Sequence, residues 1–263
     1  MMSEQYLILC LAAAAAGAVN AIAGGGTLLT FPALFAALGS SASAAVVANA
    51  TSTVALVPGS IAALVGYRRE IREERRWTAR LLAPSLVGGF VGSLLVVILP
   101  SAWFKAAVPW LILTAAALFA LQPQIARWTG IGRPQPGGHS RALVAGAVAF
   151  QLLVAVYGGY FGAGIGILML SSLAMMGLTD IHRMNAVKTL LASVINGTSV
   201  IVFVATGHVD WPFALAMAGA SSAGGYLAAH WARRVDRGVV RTIVVAIGLS
   251  LAAYYFYRQL QGG

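Results

Sequence analysis

Two glycine clusters, Gly24-Gly25-Gly26-Thr27 and Gly158-Gly159-Tyr160-Phe161-Gly162-Ala163-Gly164-Ile165-Gly166, interrupt apolar stretches about 138 residues apart in a chain of 263. A helix broken inside hydrocarbon leaves backbone N–H and C=O groups unpaired, which is tolerated only where they face protein or a water-filled cavity. Two such breaks at matched positions therefore predict a duplicated helical membrane protein with its binding site at the breaks.

The surrounding sequence agrees on the solvent. With 59% hydrophobic and 9% charged residues and a mean hydropathy of +0.84, the chain cannot dress a water-soluble domain in a polar skin. The first apolar run, Tyr6 to Ile22, has no basic residue before it and continues the pattern of the rest, so it reads as a retained membrane segment rather than a signal peptide. The single cysteine, Cys10, excludes an intrachain disulfide and speaks against a Cys-rich metal or redox centre. A net charge of +10 would suit a nucleic-acid partner, but its distribution points to the bilayer instead. Of 17 basic residues, 14 fall in four loops: Arg68, Arg69, Arg72, Arg75, Arg76 and Arg80; Arg127, Arg133 and Arg141; Arg183; and Arg233, Arg234, Arg237 and Arg241. That bias assigns those loops to the cytoplasm and implies no nucleic acid.

Six apolar segments are long enough to span roughly 30 Å of hydrocarbon. They run near Ala44 to Gly66, Arg80 to Leu99, Phe104 to Leu121, Asn185 to Thr206, Trp211 to Trp231 and Val239 to Tyr257. The glycine-interrupted stretches, Tyr6 to Gly39 and Leu143 to Gly177, are too long for one span. The arms of the first, about 17 and 13 residues, are marginal for two. Each is expected to be a broken hairpin. Trp77, Trp103, Trp110, Trp128 and Trp211 lie near segment ends, where an amphipathic ring suits the headgroups. Pro58 is expected to kink its helix, with Thr53 or Ser60 compensating the loosened backbone.

The halves are related. Gly24 and Gly39 correspond to Gly162 and Gly177 at an offset of 138, and Asn49, Gly88, Lys105 and Leu113 to Asn185, Gly224, Arg241 and Leu249 at 136. Equivalent loops carry opposite charge: Tyr67 to Arg80 has six arginines, while its counterpart around His208-Val209-Asp210 has none. This implies an inverted repeat with both termini outside the cytoplasm. The expected organisation is an all-α polytopic membrane protein, one transmembrane domain over 1–263. It comprises a first repeat at 1–121, a flexible cytoplasmic linker at 122–142 and a second repeat at 143–260. Each repeat is one glycine-broken hairpin plus three full transmembrane helices.

Half-helices starting after Gly26, with Thr27 as a cap, and after Gly164 would aim their positive ends at one place, which favours an anion. The expected lining is Gly24, Gly25, Gly26, Thr27, Gly162, Gly164 and Gly166 from the breaks. The helices that follow add Asn49, Thr51, Ser52, Asn185, Lys188, Thr189 and Asn196. Small residues that merely let helices pack closely are the competing reading of the glycines, as helix-stitching is for each Asn or Thr. Lys188 is the one cation set clearly inside a span, where it needs a partner, water or substrate unless it snorkels to the rim. All seven acidic residues lie in loops or termini, so no intramembrane carboxylate is available as a proton relay. No His-Glu-x-x-His, Gly-x-Ser-x-Gly or Walker-type signature occurs, and neither a catalytic residue, a cofactor nor a metal is expected.

Three passages carry a resemblance: Asn20-Ala-Ile-Ala-Gly-Gly-Gly-Thr-Leu-Leu-Thr-Phe-Pro-Ala-Leu, then Ala48-Asn49-Ala50-Thr51-Ser52, and Met184-Asn185-Ala186-Val187-Lys188 through Asn196 to Gly207-His208-Val209-Asp210-Trp211. Together with Val239 to Gly248 they make the chain similar, over nearly its whole length, to the TauE/SafE family of sulfite exporters and related anion permeases. The resemblance implies a multi-pass carrier of the bacterial inner membrane for sulfite, sulfonates or similar small anions, able to pack as a homodimer. The second break departs from the first in having no counterpart of Pro32. An inside-negative potential favours anion efflux by about 2.3 kcal/mol per charge per 100 mV, so export by alternating access is the expected direction. The competing readings are a membrane scaffold or assembly protein without transport and an intramembrane enzyme.

Overall fold

The computed structural model describes residues 2–22, 25–39, 41–129, 141–231 and 237–261, and among these every regular element is an α-helix. In chain order they are α1 (Met2–Ile22), α2 (Thr27–Leu38), α3 (Ala42–Gly66), α4 (Arg68–Glu73), α5 (Arg75–Ile98), α6 (Ser101–Thr129), α7 (Arg141–Tyr160), α8 (Ile165–Met175), α9 (Ile181–Ala205), α10 (Trp211–Trp231) and α11 (Arg237–Gln261). Helices satisfy their backbone groups internally, the one requirement hydrocarbon imposes on an open-ended segment. By length and composition α3, α5, α6, α9 and α11 can each cross a membrane, and the sixth expected span is α10. The chain is a polytopic helical membrane protein.

The hairpins have unequal arms. α1 has 21 residues and α2 has 12; α7 has 20 and α8 has 11. The long arms reach about 30 Å and the short ones about 17 Å. The first long arm is longer than its apolar run because the helix starts upstream of Tyr6, at Met2, through residues too polar to be counted with that run. Each chain doubles back at its break: Gly26 lies against Ala16, and Ile165 against Gly158.

α6 also departs from expectation. It runs 29 residues to Thr129, so the proposed linker over 122–142 begins as helix, with Pro123 inside it and Trp128 80% exposed. Residues 130–140, with Arg133 and the Gly-Pro-rich part of that linker, lie outside the described residues. Trp77 is 6% exposed and does not serve as an interfacial anchor. α3 continues through Pro58, which cannot donate to Val54. The hydroxyls of Thr53 and Ser60 bond back to the carbonyls of Asn49 and Leu56, whereas the carbonyl of Ala55 receives Ser221 of α10 at 2.6 Å. Neither Thr53 nor Ser60 reaches the Val54 carbonyl that the proline leaves without its helical donor, and Ser221 ties α10 to α3 one residue further on.

The halves exchange partners. α1 packs along α10 and α5 along α7; α3 lies against α10, α5 against α9, α3 meets α9, and α6 meets α11. α2 wedges between α1 and α3 as α8 does between α7 and α9. Glycines set the closest approaches. A side chain on Gly224 would strike the backbone of Ala14, and one on Gly88 the backbone of Leu152. Those two contacts are related by the same offsets, 136 and 138, that the sequence shows. Gly17, Gly92 and Gly159 similarly face Ser221, Val156 and Gly89. Gly159 therefore belongs to helix packing within α7 and not to the break that follows it.

Candidate functional site

At the first break Gly24 lies outside the described residues. Gly25 has φ +95°, a left-handed conformation that a side chain resists, and a methyl group there would enter the ring of Phe119 on α6. Gly26 is the N-cap of α2, and no side chain caps that end from Thr27 as the sequence suggested, since Thr27 is already the first helical residue. The turn is held instead by Asn20 at the end of α1, whose Oδ1 accepts from the N–H of Gly26 at 2.8 Å.

At the second break Gly162 and Gly164 both have φ +83°, and Gly164 precedes α8 without a side-chain cap. Tyr157 organises this turn. Its hydroxyl donates to the carbonyl of Ala163 at 2.9 Å, and its own carbonyl accepts from the N–H groups of Phe161 and Gly162 at 2.9 and 3.3 Å. Neither Asn20 nor Tyr157 was among the expected site residues. Each stands within one helical turn before its glycines, as a polar group able to satisfy backbone released by a break, and that position was the available signal.

The two breaks meet. A side chain on Gly162 would stand 4.0 Å from both Thr27 Oγ1 and Asn196 Oδ1, which brings the start of α2, the second break and α9 to one place. The rings of Phe31 on α2 and Phe161 in the second break pack edge to face at 5.4 Å. Phe104 and Phe35 extend this block from Phe31, and Phe104 also reaches Tyr160 at 5.3 Å. α6 touches both turns, through Phe119 at Gly25 and through Ala115 and Leu118 at Gly164.

The expected polar residues divide. Asn49, 1% exposed, donates from Nδ2 to the carbonyl of Tyr160 at 3.1 Å and so belongs to the second break although it comes from the first half. Lys188 lies along Gly166 and donates from Nζ to Oδ1 of Asn185 at 3.1 Å. Asn185 in turn donates to the carbonyl of Ile181. Thr189 is half-buried beside Lys188, and its hydroxyl has no hydrogen bond among the described residues. The hydroxyl of Ser52 pairs with Thr30 at 2.5 Å, and Thr30 reaches the carbonyl of Gly26 at 3.3 Å, which braces the first turn of α2. The hydroxyl of Thr51 accepts from the N–H of Asp210 at 3.0 Å, tying α3 to the turn before α10.

A second polar cluster lies at the far end of α8, about 16 Å along that helix. Arg183 in the first turn of α9 pairs with Glu73 at 2.9 Å, Glu74 at 3.3 Å and Asp180 at 3.7 Å. Asp180 caps α9 by accepting from the N–H groups of His182 and Arg183 at 2.8 and 3.3 Å. Those bonds, Arg183 first, hold its carboxyl below the usual range. Arg183, Glu74 and Asp180 line, with Trp77, Met176 and Leu178, a cavity of about 420 Å³.

A family model described as "Sulfite exporter TauE/SafE" matches residues 9–255. A "Probable membrane transporter protein" of Haemophilus influenzae is 27% identical over 249 residues, covering 92% of this chain and 90% of that protein. The "Probable membrane transporter protein YfcA" of Escherichia coli is 28% identical over 262 residues, covering 98% of this chain and 92% of that protein. The "Probable membrane transporter protein ORF9" of a Sinorhizobium species is 26% identical over 249 residues, with coverage of 93% and 89%. No solved structure matches the chain.

Proposed function

This chain belongs to the sulfite exporter TauE/SafE family, and from that premise we propose that it carries a small anion such as sulfite or a sulfonate across the bacterial inner membrane. It is a membrane transporter. The observation that carries the anion reading is the meeting of Thr27, Gly162 and Asn196 where two helices begin, because helix N-termini present N–H groups and positive dipole to an oxyanion. The substrate is received by backbone N–H groups at the starts of α2 and α8 other than those of Gly26 and Gly162, which Asn20 and Tyr157 already hold, by Asn49, Asn196 and Thr189, and by the charge of Lys188 with Asn185 beside it. Thr51 and Ser52 act through the helices they brace.

The exchanged pairing of the halves supports two inverted repeats and alternating access between them. In this arrangement the aromatic block around Phe31, Phe104 and Phe161 closes one side, and Arg183 with Glu73 and Glu74 lies toward the other. Export follows from the inside-negative potential, which drives anions outward without a coupling ion at about 2.3 kcal/mol per charge per 100 mV. The chain acts as a carrier and not as an enzyme.

The test is reconstitution into liposomes with sulfite, sulfonates, thiosulfate and small carboxylates under imposed potentials of both signs. Potential-dependent flux of one or more of these is expected. No flux of any of them in either direction would sink the carrier reading.

A further inference from the structure

Half of the Asn49 amide is unsatisfied. The side chain is buried, its Nδ2 donates to the carbonyl of Tyr160, and its Oδ1 has no partner among the described residues. The orientation follows from the partner, because a backbone carbonyl only accepts, and turning the amide over would set two oxygens against each other. Both amide atoms hang from one carbon, so Oδ1 sits beside the last carbonyl of α7, at the edge of the second break. An acceptor buried there without a donor is costly.

The rest of the site offers donors: the starts of α2 and α8, the hydroxyl of Thr27 and the ammonium of Lys188. These suit the oxygens of any oxyanion. Asn49 Oδ1 asks for something else. A bare anionic oxygen against it is repelled, whereas an O–H or N–H satisfies it. A metal cation fits less well, since hard cations take several oxygens at once, and the neighbouring carbonyl of Tyr160 is already engaged by Nδ2.

We propose that the substrate taken at the paired breaks is an oxyanion carrying its own hydrogen-bond donor, which it delivers to Asn49 Oδ1. Hydrogen sulfite, rather than the sulfite dianion, is the simplest member of that class. The inference rests on the carrier reading and narrows it. The competing occupant of the Asn49 position is a fixed water, which satisfies the acceptor without discriminating among anions.

The experiment uses the full chain in liposomes with equal pH on both sides. One arm measures sulfite flux at constant total concentration as pH is varied, which places the donor on the acid group itself. The other compares ethanesulfonate with 2-hydroxyethanesulfonate and 2-aminoethanesulfonate, which places it on the tail. Flux that falls as the monoanion is titrated away, or a preference of about tenfold for the donor-bearing sulfonates, is the expected result. A preference in one arm alone supports the proposal and locates the donor. In Asn49→Leu the preference should shrink toward equality, and if that variant fails to insert, the wild-type arms decide by themselves. Flux that is independent of pH together with equal transport of ethanesulfonate and its hydroxyl analogue overturns the inference while leaving the carrier reading intact. Absence of flux for every probe overturns both.

Discussion

The stem of Lys188 lies across Gly166, so close that a methyl group on the glycine would stand 3.3 Å from the lysine Cδ. The glycine lets a helix of the second half bring its cation to the second residue of α8, where the helix already presents its positive end. Two positive features converge there, a placement that suits the anion proposed for this site. Lys188→Met keeps the stem and removes the charge. Anion flux is expected to fall at least about tenfold with little change in thermal unfolding, the pattern of a lost charge-assisted contact. Unchanged flux would mean that the ammonium serves packing or snorkelling only.

Gly25 combines a left-handed backbone with contact to Phe119, and the two causes can be separated. Gly25→Ala should destabilise the protein by about 1–3 kcal/mol through backbone strain, with a further loss from the clash. Pairing it with Phe119→Ala removes the clash but not the strain, so a part of the Gly25→Ala effect should persist in the Phe119→Ala background. Gly146 in α7 faces open space, and Gly146→Ala should be neutral or stabilising by up to about 1 kcal/mol. Thermal unfolding in detergent of the four variants checks the ordering.

The breaks were legible because close packing alone needs single small residues along a helix face, whereas whole glycine clusters at matching positions in apolar sequence spoil the helix itself. The spans were legible because hydropathy is a direct record of a hydrocarbon solvent. What holds the breaks was less so. Asn20 and Tyr157 are polar groups near helix ends, and only the folded turn shows that one receives the N–H of Gly26 and the other reaches the carbonyl of Ala163. Asn49 and Thr51 lie two residues apart yet serve different neighbours, Tyr160 and Asp210, because side chains two apart on a helix point to nearly opposite faces. Periodicity places such residues on a helix but does not say what stands opposite. Phe119 is still further from view, since its role depends on α6 crossing a break more than 90 residues earlier in the chain.

Asn20→Ala should loosen the first break without touching the substrate. The N–H of Gly26 loses its acceptor in a part-buried turn, a loss of about 1–2 kcal/mol. Asn20→Asp retains an acceptor and should recover most of that stability. Hydrogen exchange at Gly26 and thermal unfolding read the two variants; equal stability of Asn20→Ala and wild type would show that water replaces the amide at no cost.

Asp180 supplies a pH dependence whose sign is set by its caps. The N–H groups of Arg183 and His182 lower its folded pKa below the unfolded one. Its contribution is therefore fully present above the unfolded value and is lost as pH falls through the lower folded value, in the region below about pH 4. Asp180→Asn keeps a capping oxygen and removes the titration, so the acid limb of its stability profile should be flatter than that of wild type. Parallel profiles from pH 7 down to the acid limb would contradict the assignment.

Arg183 ties the start of α9 to Glu73 and Glu74, and so joins the second half of the chain to the first. Exposed ion pairs are individually weak, and Arg183 and Glu73 are 44% and 38% exposed. Glu74 is more enclosed, at 16%, so its pair should carry most of the effect. If the halves move against each other during transport, releasing this tie favours conformations in which α9 separates from α4. A cysteine placed at Thr189, in a protein with Cys10 replaced, reports that separation through its alkylation rate. Arg183→Gln should raise the rate several-fold, Glu74→Gln nearly as much, and the double variant no further, because both remove one interaction. Salt should reproduce part of the effect in wild type and none in the double variant, since only the intact pair can be screened. Additive effects of the two substitutions would show that they act independently rather than through a shared tie between the halves.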